Sequence, residues 1–383
     1  MERSRGVELG KLWDDIPGPD KFEIVQQLVG FEMALVSIRF PIYGSIYYAN
    51  NLRNVDSNQM IELGNRKNTV GVEFAVGPTT NRTFFDDGKD AVDVRRGPWT
   101  SIEDYVSACA NRELACLQTF SEFPRPQGLF YGPGQYQPTA QRKQEALQNV
   151  LKVAKFLSPK DKEISKPALW HPDLHGDNIF VNPDQPTEII SIIDWQAVNL
   201  SPLFLQARHP ALIEFEGPIP EGLKRIRLPD NFDDLSPEEQ LEAKKLRAAH
   251  RFKLQNSLAG QITGLPGSLF SDGELIVQGM LIRLQEEWAT SVGSSIPCPL
   301  SFTEEDKKQQ NVDEAKWASG VELMEEFLGQ VGAYRGWNGW VNHNNYEHFR
   351  VQLEKCREEF LNSHSVTSEE RSQWEAVWPF TDK

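Results

Sequence analysis

The chain has 383 residues, with 40 Lys and Arg against 55 Asp and Glu, and a formal net charge of −15. Such a surface repels nucleic-acid phosphates and anionic lipids, which argues against a nucleic-acid coat or a peripheral membrane binder. Hydrophobic residues make up 39% of the sequence. A chain of this size and composition can bury a substantial core, so we expect a globular protein.

Apolar spacing and capping signals predict a mainly helical chain with a few short strands. Gly44 and Pro41 interrupt an extended stretch over 40–48, and the alternation in 71–78 predicts a strand. Thr100 followed by Glu103 resembles a capping box, and Ser236-Pro237 is a strong helix start. The predicted helices are 20–38, one starting at Thr100, 138–157, 236–259, 272–290, 303–332 and 345–362.

The four cysteines and the N-terminus bear on the cellular compartment. The cysteines form no CxxC pair and no zinc-binding spacing, which favours a reducing compartment. The first residues lack the apolar core of a signal peptide, and early acidic residues argue against a mitochondrial presequence. No apolar stretch reaches the roughly 18 residues of a membrane span. We therefore expect an intracellular, cytoplasmic protein without a membrane partner.

The candidate functional residues lie in the segment 168–196, ALWHPDLHGDNIFVNPDQPTEIISIIDWQ. Two apolar runs, 179–181 and 188–194, flank a Pro- and Asp-rich turn, which predicts a β-hairpin. Its ends should place Asn178 about 5 Å from Asp194. Amide and carboxylate oxygens at that separation suit Mg2+. Asp173 lies in the same loop, where its carboxylate can orient a hydroxyl.

This pattern resembles the kinase catalytic loop H-x-D-x-x-x-x-N followed by a metal-binding Asp. The spelling HPDLHGDNIFV with IIDW is similar to the aminoglycoside phosphotransferase-like family, in particular a large fungal branch with mitochondrial members. GVELGKLW, FPIYGSIYY, VGPTTNRTFF, RRGPWTS and GWNGWVNHNNYEHF agree with that branch. The resemblance covers nearly the whole chain, and it leaves a mitochondrial location open as the alternative to the cytoplasm.

The resemblance implies an α+β fold: the large C-terminal lobe of a protein-kinase-like enzyme, mainly helical around a small catalytic hairpin. In that lobe, 1–15 would start like the hinge, 168–196 would hold the catalytic loop and hairpin, and 203–383 would be a helical extension. Asp173 would be the catalytic base, and His171 would brace the loop. Asn178 and Asp194 would hold Mg2+ on ATP. Phe180, Ile193 and Glu2 would contact the nucleotide.

The sequence lacks the other half of such a site. Met1-Glu2 matches the hinge of the family, so the small nucleotide-binding lobe is expected to be absent or vestigial. The Gly6–Gly10 segment is only G-x-x-x-G, the glycines of 128–136 precede no strand lysine, and no Walker A sequence occurs. Three explanations stay open: an inactive short form, a truncated gene model, or a protein that acts with a partner.

Simpler interpretations compete with this one. His171 and His175 resemble a metal pair, but Pro172 and Gly176 argue against the helix that a zinc pair needs. Asp177 fits a plain turn residue. Two functions therefore remain. One is an ATP- and Mg2+-dependent phosphotransferase acting on the hydroxyl of an unidentified small molecule. The alternative is a pseudokinase-like binding or scaffold protein with a protein partner.

Overall fold

A computed structural model describes residues 4–62, 73–120, 128–156, 159, 161–207, 236, 240, 273–333, 341 and 345–380. Helices dominate these residues because most segments carry apolar side chains at helical spacing. The helices are α1 (Gly18–Ser37), α2 (Ile102–Thr119), α3 (Ala140–Val153), α4 (Lys162–Ser165), α5 (Leu203–Gln206), α6 (Glu274–Glu286), α7 (Glu304–Val331), α8 (Tyr346–His364) and α9 (Ser368–Ala376).

Within the described residues, seven short strands form three small antiparallel sheets. The strands are β1 (Val7–Glu8), β2 (Ser45–Tyr48), β3 (Phe74–Gly77), β4 (Pro167–Leu169), β5 (Ile179–Asn182), β6 (Gln185–Ile192) and β7 (Leu200–Pro202). The sheet orders are β1-β5-β6, β2-β3 and β4-β7. This mixture of helices and small sheets is compatible with the α+β expectation.

The chain divides into two compact units. The first comprises Met1–Ala115 with Ala154–Pro266 and contains all seven strands. The second comprises Cys116–Val153 with Gly267–Lys383 and is helical in its described residues.

In the first unit, α1 packs against the β5–β6 hairpin. Ile24 and Leu28 point from the helix into a cluster with Ile179 and Val181 of β5, and Leu9 completes it. All five side chains are nearly or fully buried. The alternation of β5 therefore sends Ile179 and Val181 into the core and Phe180 to the opposite face. This cluster holds one face of the hairpin against α1.

In the second unit, the C-terminal helices enclose an aromatic core around Phe327 of α7. Its ring meets Phe360 of α8 at 5.8 Å and Trp378 at 5.1 Å, both edge to face. Gly132 lies against the Trp374 ring so closely that a β-carbon there would overlap it. Gly132 therefore serves packing in this core, whereas a β-carbon on Gly134 would meet nothing within 4 Å.

The predicted elements agree with the structure over most of the described chain, but several differences remain, among them the four-residue helix α4, which was not predicted. Helix α2 is capped by Ser101, whose hydroxyl accepts from the Asp104 amide at 3.1 Å, so the Thr100 cap was wrong by one residue. Helix α9 was missed, although Thr367 and Glu370 form a capping box. The two- and three-residue strands were missed as well, because so few residues carry no readable alternation.

Some expectations fall outside the described residues. The predicted helix over 236–259 is described only at Ser236 and Gln240, and Glu2 is not described. Among the helices that are described, none is long and apolar enough to cross a membrane.

Candidate active site

The hairpin of β5 and β6 sets the geometry of the candidate site. Ile179 pairs with Ile192 and Phe180 with Ser191, and the register shifts beyond that point. At the open end, the amide of Ile193 donates to the carbonyl of Asn178 at 2.9 Å. The hairpin thus brings Asn178 directly across from the residue that precedes Asp194, as the sequence pattern predicts.

His171 ties the start of the loop to the end of the hairpin. Its Nε2 lies 2.8 Å from the carbonyl oxygen of Ile193, and its Nδ1 accepts from the amide of Asp173 at 3.2 Å. This pattern assigns the proton to Nε2, because a carbonyl can only accept. Both ring nitrogens of the buried His171 are therefore engaged, which leaves none for a zinc ion and agrees with a bracing role.

The backbone of Ile193 connects the loop to Asp194. Its amide is held by Asn178 and its carbonyl by His171. Both polar groups of its backbone are thus fixed immediately before Asp194. Asp194 itself has a φ of 64°, in the left-handed region that Asp and Asn tolerate best after glycine. The chain turns sharply there, and the carboxylate of Asp194 is exposed.

Asn178 is buried, and its amide group is oriented by two neighbours. Nδ2 donates to the carbonyl of Asp173 at 2.9 Å and lies 3.1 Å from Nε2 of His175. Its Oδ1 has no hydrogen-bond partner among the described residues. An oriented amide oxygen and an exposed carboxylate, carried by residues at the open end of one hairpin, are the oxygen donors that Mg2+ prefers, and this ion usually takes one or two protein ligands and completes its shell with water and phosphate oxygens.

Asp173 stands on the solvent side of the loop, with 68% of its side chain exposed. Its backbone is held at both polar groups, by His171 at the amide and by Asn178 at the carbonyl. Nε2 of His175 lies 3.5 Å from its carboxylate. The carboxylate is therefore accessible to a ligand while its backbone stays fixed, which a general base requires.

Gly6 and Gly10, whose spacing does not match a phosphate-binding loop, have another role. A β-carbon on Gly10 would overlap the Asp177 side chain and press on the backbone of Gly176, and one on Gly6 would overlap the carbonyl of Val181. Gly6 also has a φ of 86°. The segment around β1 therefore lies directly on the hairpin and the loop, which only glycine allows at these points.

The remaining predicted residues are placed as follows. Phe180 is half-buried in the middle strand, and Ile193 is 37% exposed, outside the core cluster of α1. Glu2 lies outside the described residues. The sequence predicts only a core or pocket-wall role for Trp195, and its contact with the loop was not expected. Its ring meets His171 edge to face at 4.8 Å, and its Nε1 donates to the Ile192 carbonyl at 2.9 Å.

Across the described part of the chain, no three His, Cys, Asp or Glu side chains cluster in a way that could hold a metal ion. A metal held by Asn178 and Asp194 would need water or ligand oxygens to complete its shell.

Comparison with known proteins identifies fungal relatives. The chain is 26% identical over 373 residues to a subtelomeric hrmA-associated cluster protein of Aspergillus fumigatus, an alignment that covers 85% of this chain and 71% of that protein. It is 22% identical, over an alignment of 432 positions, to altered inheritance of mitochondria protein 9, mitochondrial, of Saccharomyces cerevisiae. This alignment covers all of this chain and 65% of the relative.

A second protein with that name, from Yarrowia lipolytica, is 22% identical over 334 residues, which cover 76% of this chain and 53% of the relative. The chain thus spans about half to two thirds of the length of the proteins with this name. No family model matches the sequence, and no solved structure matches it. The chain is therefore related to a fungal group that includes altered inheritance of mitochondria protein 9 and the subtelomeric hrmA-associated cluster proteins.

Proposed function

We propose that this chain carries the metal- and base-bearing half of a phosphotransferase site that acts on the hydroxyl of a small molecule with ATP and Mg2+. The observation that supports the proposal is the fixed backbone of Ile193, directly before Asp194: its amide donates to the carbonyl of Asn178, and its carbonyl accepts from His171. One network thereby connects the candidate base, the candidate metal ligands and the bracing histidine.

Each residue has a role in this proposal. Asp173 accepts the proton of the acceptor hydroxyl at its exposed carboxylate. Asn178, through Oδ1, and Asp194 hold Mg2+, which supplies charge neutralisation to the phosphates when it is bound. Phe180 and Ile193 offer an apolar surface to the base of the nucleotide. His171 acts only through the loop that it positions.

The test is Mg2+-dependent nucleotide binding by the purified chain, followed as thermal unfolding with ATP. Ligand at about 100 times its dissociation constant adds about 2.7 kcal/mol of stability. We expect a shift that Asp194→Asn abolishes, since Asn keeps the left-handed backbone but removes the charge. Asp184→Asn, at the opposite end of the same hairpin, is the matched control and should leave the shift intact.

Turnover distinguishes binding from chemistry. With an acceptor found by screening hydroxyl compounds for ADP release, Asp173→Asn should lower the rate by about 100- to 10,000-fold while nucleotide binding persists. A nucleotide shift that survives Asp194→Asn would refute the proposed metal site.

The second candidate is a pseudokinase-like binding or scaffold protein with a protein partner. It is favoured by the glycines at Gly6 and Gly10, which pack on the hairpin instead of forming a phosphate loop. This candidate predicts a folded chain whose melting temperature does not respond to Mg2+ and ATP at millimolar concentration. Such a result would turn the search from acceptors to protein partners.

The relatives from Saccharomyces and Yarrowia carry the word mitochondrial in their names. We propose a mitochondrial location on that basis, in contrast to the cytoplasmic expectation from the sequence. A fluorescent protein fused to the C-terminus of the full-length protein separates the two: co-localisation with a matrix marker supports mitochondria, and diffuse signal supports the cytoplasm.

A further inference from the structure

A cavity of about 350 Å³ lies behind the loop that carries Asp173, at the lower end of the size range of small-molecule sites. It lies within the first unit between α1, β6 and the loop residues, and its rim is open to solvent at the exposed side chains of Phe31 and Ile190. Its walls are mostly apolar, with Leu28 and Leu35 from α1, Ile190 and Ile192 from β6, and Leu174 and Trp195 from the loop and the turn after the hairpin. About a dozen water molecules, each taking about 30 Å³, would fill this volume.

One carboxylate faces this apolar space. Glu32 lines the cavity from α1, and no hydrogen bond or ion pair to its side chain exists among the described residues. Burial raises its pKa from the ordinary value of 4.5 to about 7, with no neighbouring charge contributing. A half-buried carboxylate without a partner is unfavourable, and a ligand with a cationic donor would relieve that.

The other groups around Glu32 do not supply the missing partner. His171 is the only other titratable side chain of the lining. Both of its ring nitrogens are already bonded to the backbone, at Ile193 and Asp173. The lining residues of β6 are three isoleucines and Ser191, none of which carries a charge.

We propose that this cavity is a second ligand site, which binds an apolar molecule of about a dozen non-hydrogen atoms that carries one ammonium group, with the ammonium on Glu32. This site is separate from the proposed phosphoryl transfer, because Asp173, Asn178 and Asp194 do not line it. Its occupant would touch His171 and Trp195, and so would contact the elements that brace the loop.

The experiment compares phenylbutylamine with phenylbutanol, two probes of nearly equal size that differ in charge, by titration calorimetry on the full chain. At about pH 8, where Glu32 is ionised, the amine should bind about tenfold to hundredfold more tightly than the alcohol. Glu32→Gln should remove this preference. Glu23→Gln, an exposed carboxylate elsewhere on α1 that does not line the cavity, is the matched control and should keep it.

Two further measurements locate the site and test its charge. Ala34→Trp, a lining residue at the exposed rim, should block binding of both probes, whereas Asp194→Asn should leave the preference unchanged. At about pH 5.5, where Glu32 is protonated, the amine should lose its advantage over the alcohol. Equal binding of the two probes, no binding of either, or a preference that survives Glu32→Gln would each overturn the proposal.

Discussion

At the scale of single residues, the site depends on backbone groups as much as on carboxylates. Ile193 offers no reactive side chain, yet its amide and carbonyl decide where Asp194 stands. His171 is therefore best understood as a positioning residue, because its side chain holds the Ile193 carbonyl, whereas Asn178 holds the Ile193 amide with its own backbone carbonyl. A change to the His171 side chain should move Asp194 without touching it.

His171→Ala should destabilise the chain by about 1–3 kcal/mol, because it removes the donor to the Ile193 carbonyl and a buried side chain. It should also weaken any Mg2+-dependent nucleotide shift, since Asp194 is no longer held. Denaturant unfolding and thermal shift measure the two effects. His348→Ala, an exposed histidine on α8, should change neither. An unchanged nucleotide shift in His171→Ala would contradict the positioning role.

At the scale of elements, the segment around β1 packs directly on the hairpin and the loop at Gly6 and Gly10, where glycine places no side chain of its own between the two segments. Gly10→Ala should cost about 1–3 kcal/mol, because the added methyl overlaps Asp177 and meets the backbone of Gly176. Gly30→Ala on α1, where a β-carbon meets nothing within 4 Å, should instead stabilise the helix by about 0.5–1 kcal/mol. Chemical denaturation of both variants tests this. Equal effects would refute the packing argument.

The aromatic core of the second unit depends on α7. Phe327→Ala should cost about 3–5 kcal/mol, because the fully buried ring touches Phe360, Trp378 and Phe380. Phe22→Ala on α1 removes the same side chain where it is 63% exposed, and should change stability by less than about 0.5 kcal/mol. Urea unfolding of the two variants measures the difference. A comparable loss in both would show that burial does not set the cost.

At the scale of the whole molecule, Glu32 links stability to pH. Its pKa is about 7 when folded and 4.5 in its ordinary state, so the folded chain holds an extra proton between these values. Stability is therefore highest below about pH 4.5 for this group and declines as pH rises through about 7. Discounted for solvent screening of a half-exposed side chain, the effect is about 1–2 kcal/mol.

Glu32→Gln should accordingly be more stable than the parent chain at about pH 8, with a gap that narrows as the pH falls toward about 5. Thermal unfolding across that range measures the gap. The same series with Glu23→Gln should give a constant difference. A gap for Glu32→Gln that stays constant or widens at low pH would contradict the inferred burial of this carboxylate.

Local patterns in the sequence were enough for several features. Helical spacing predicts α1 and the long C-terminal helices, because an amphipathic helix needs only its own residues to be recognised. The hairpin and the meeting of its ends follow from two apolar runs around a turn. The pattern also placed Asn178 and Asp194 at the two ends of the hairpin, whereas the roles expected of His171 and Asp173 came from the family resemblance of the same segment.

Contacts between distant segments were decided only by the tertiary structure. The place of Gly10 against Asp177 and the cavity between α1 and β6 each join residues more than a hundred positions apart. The strands β1, β4 and β7 have two or three residues, too few for a pattern, and exist because a partner supplies their hydrogen bonds. The sequence by itself thus determined the local elements and the segment that carries the candidate site. The burial of Glu32 and the glycine contacts required the fold, because burial is a property of neighbours that no local pattern encodes.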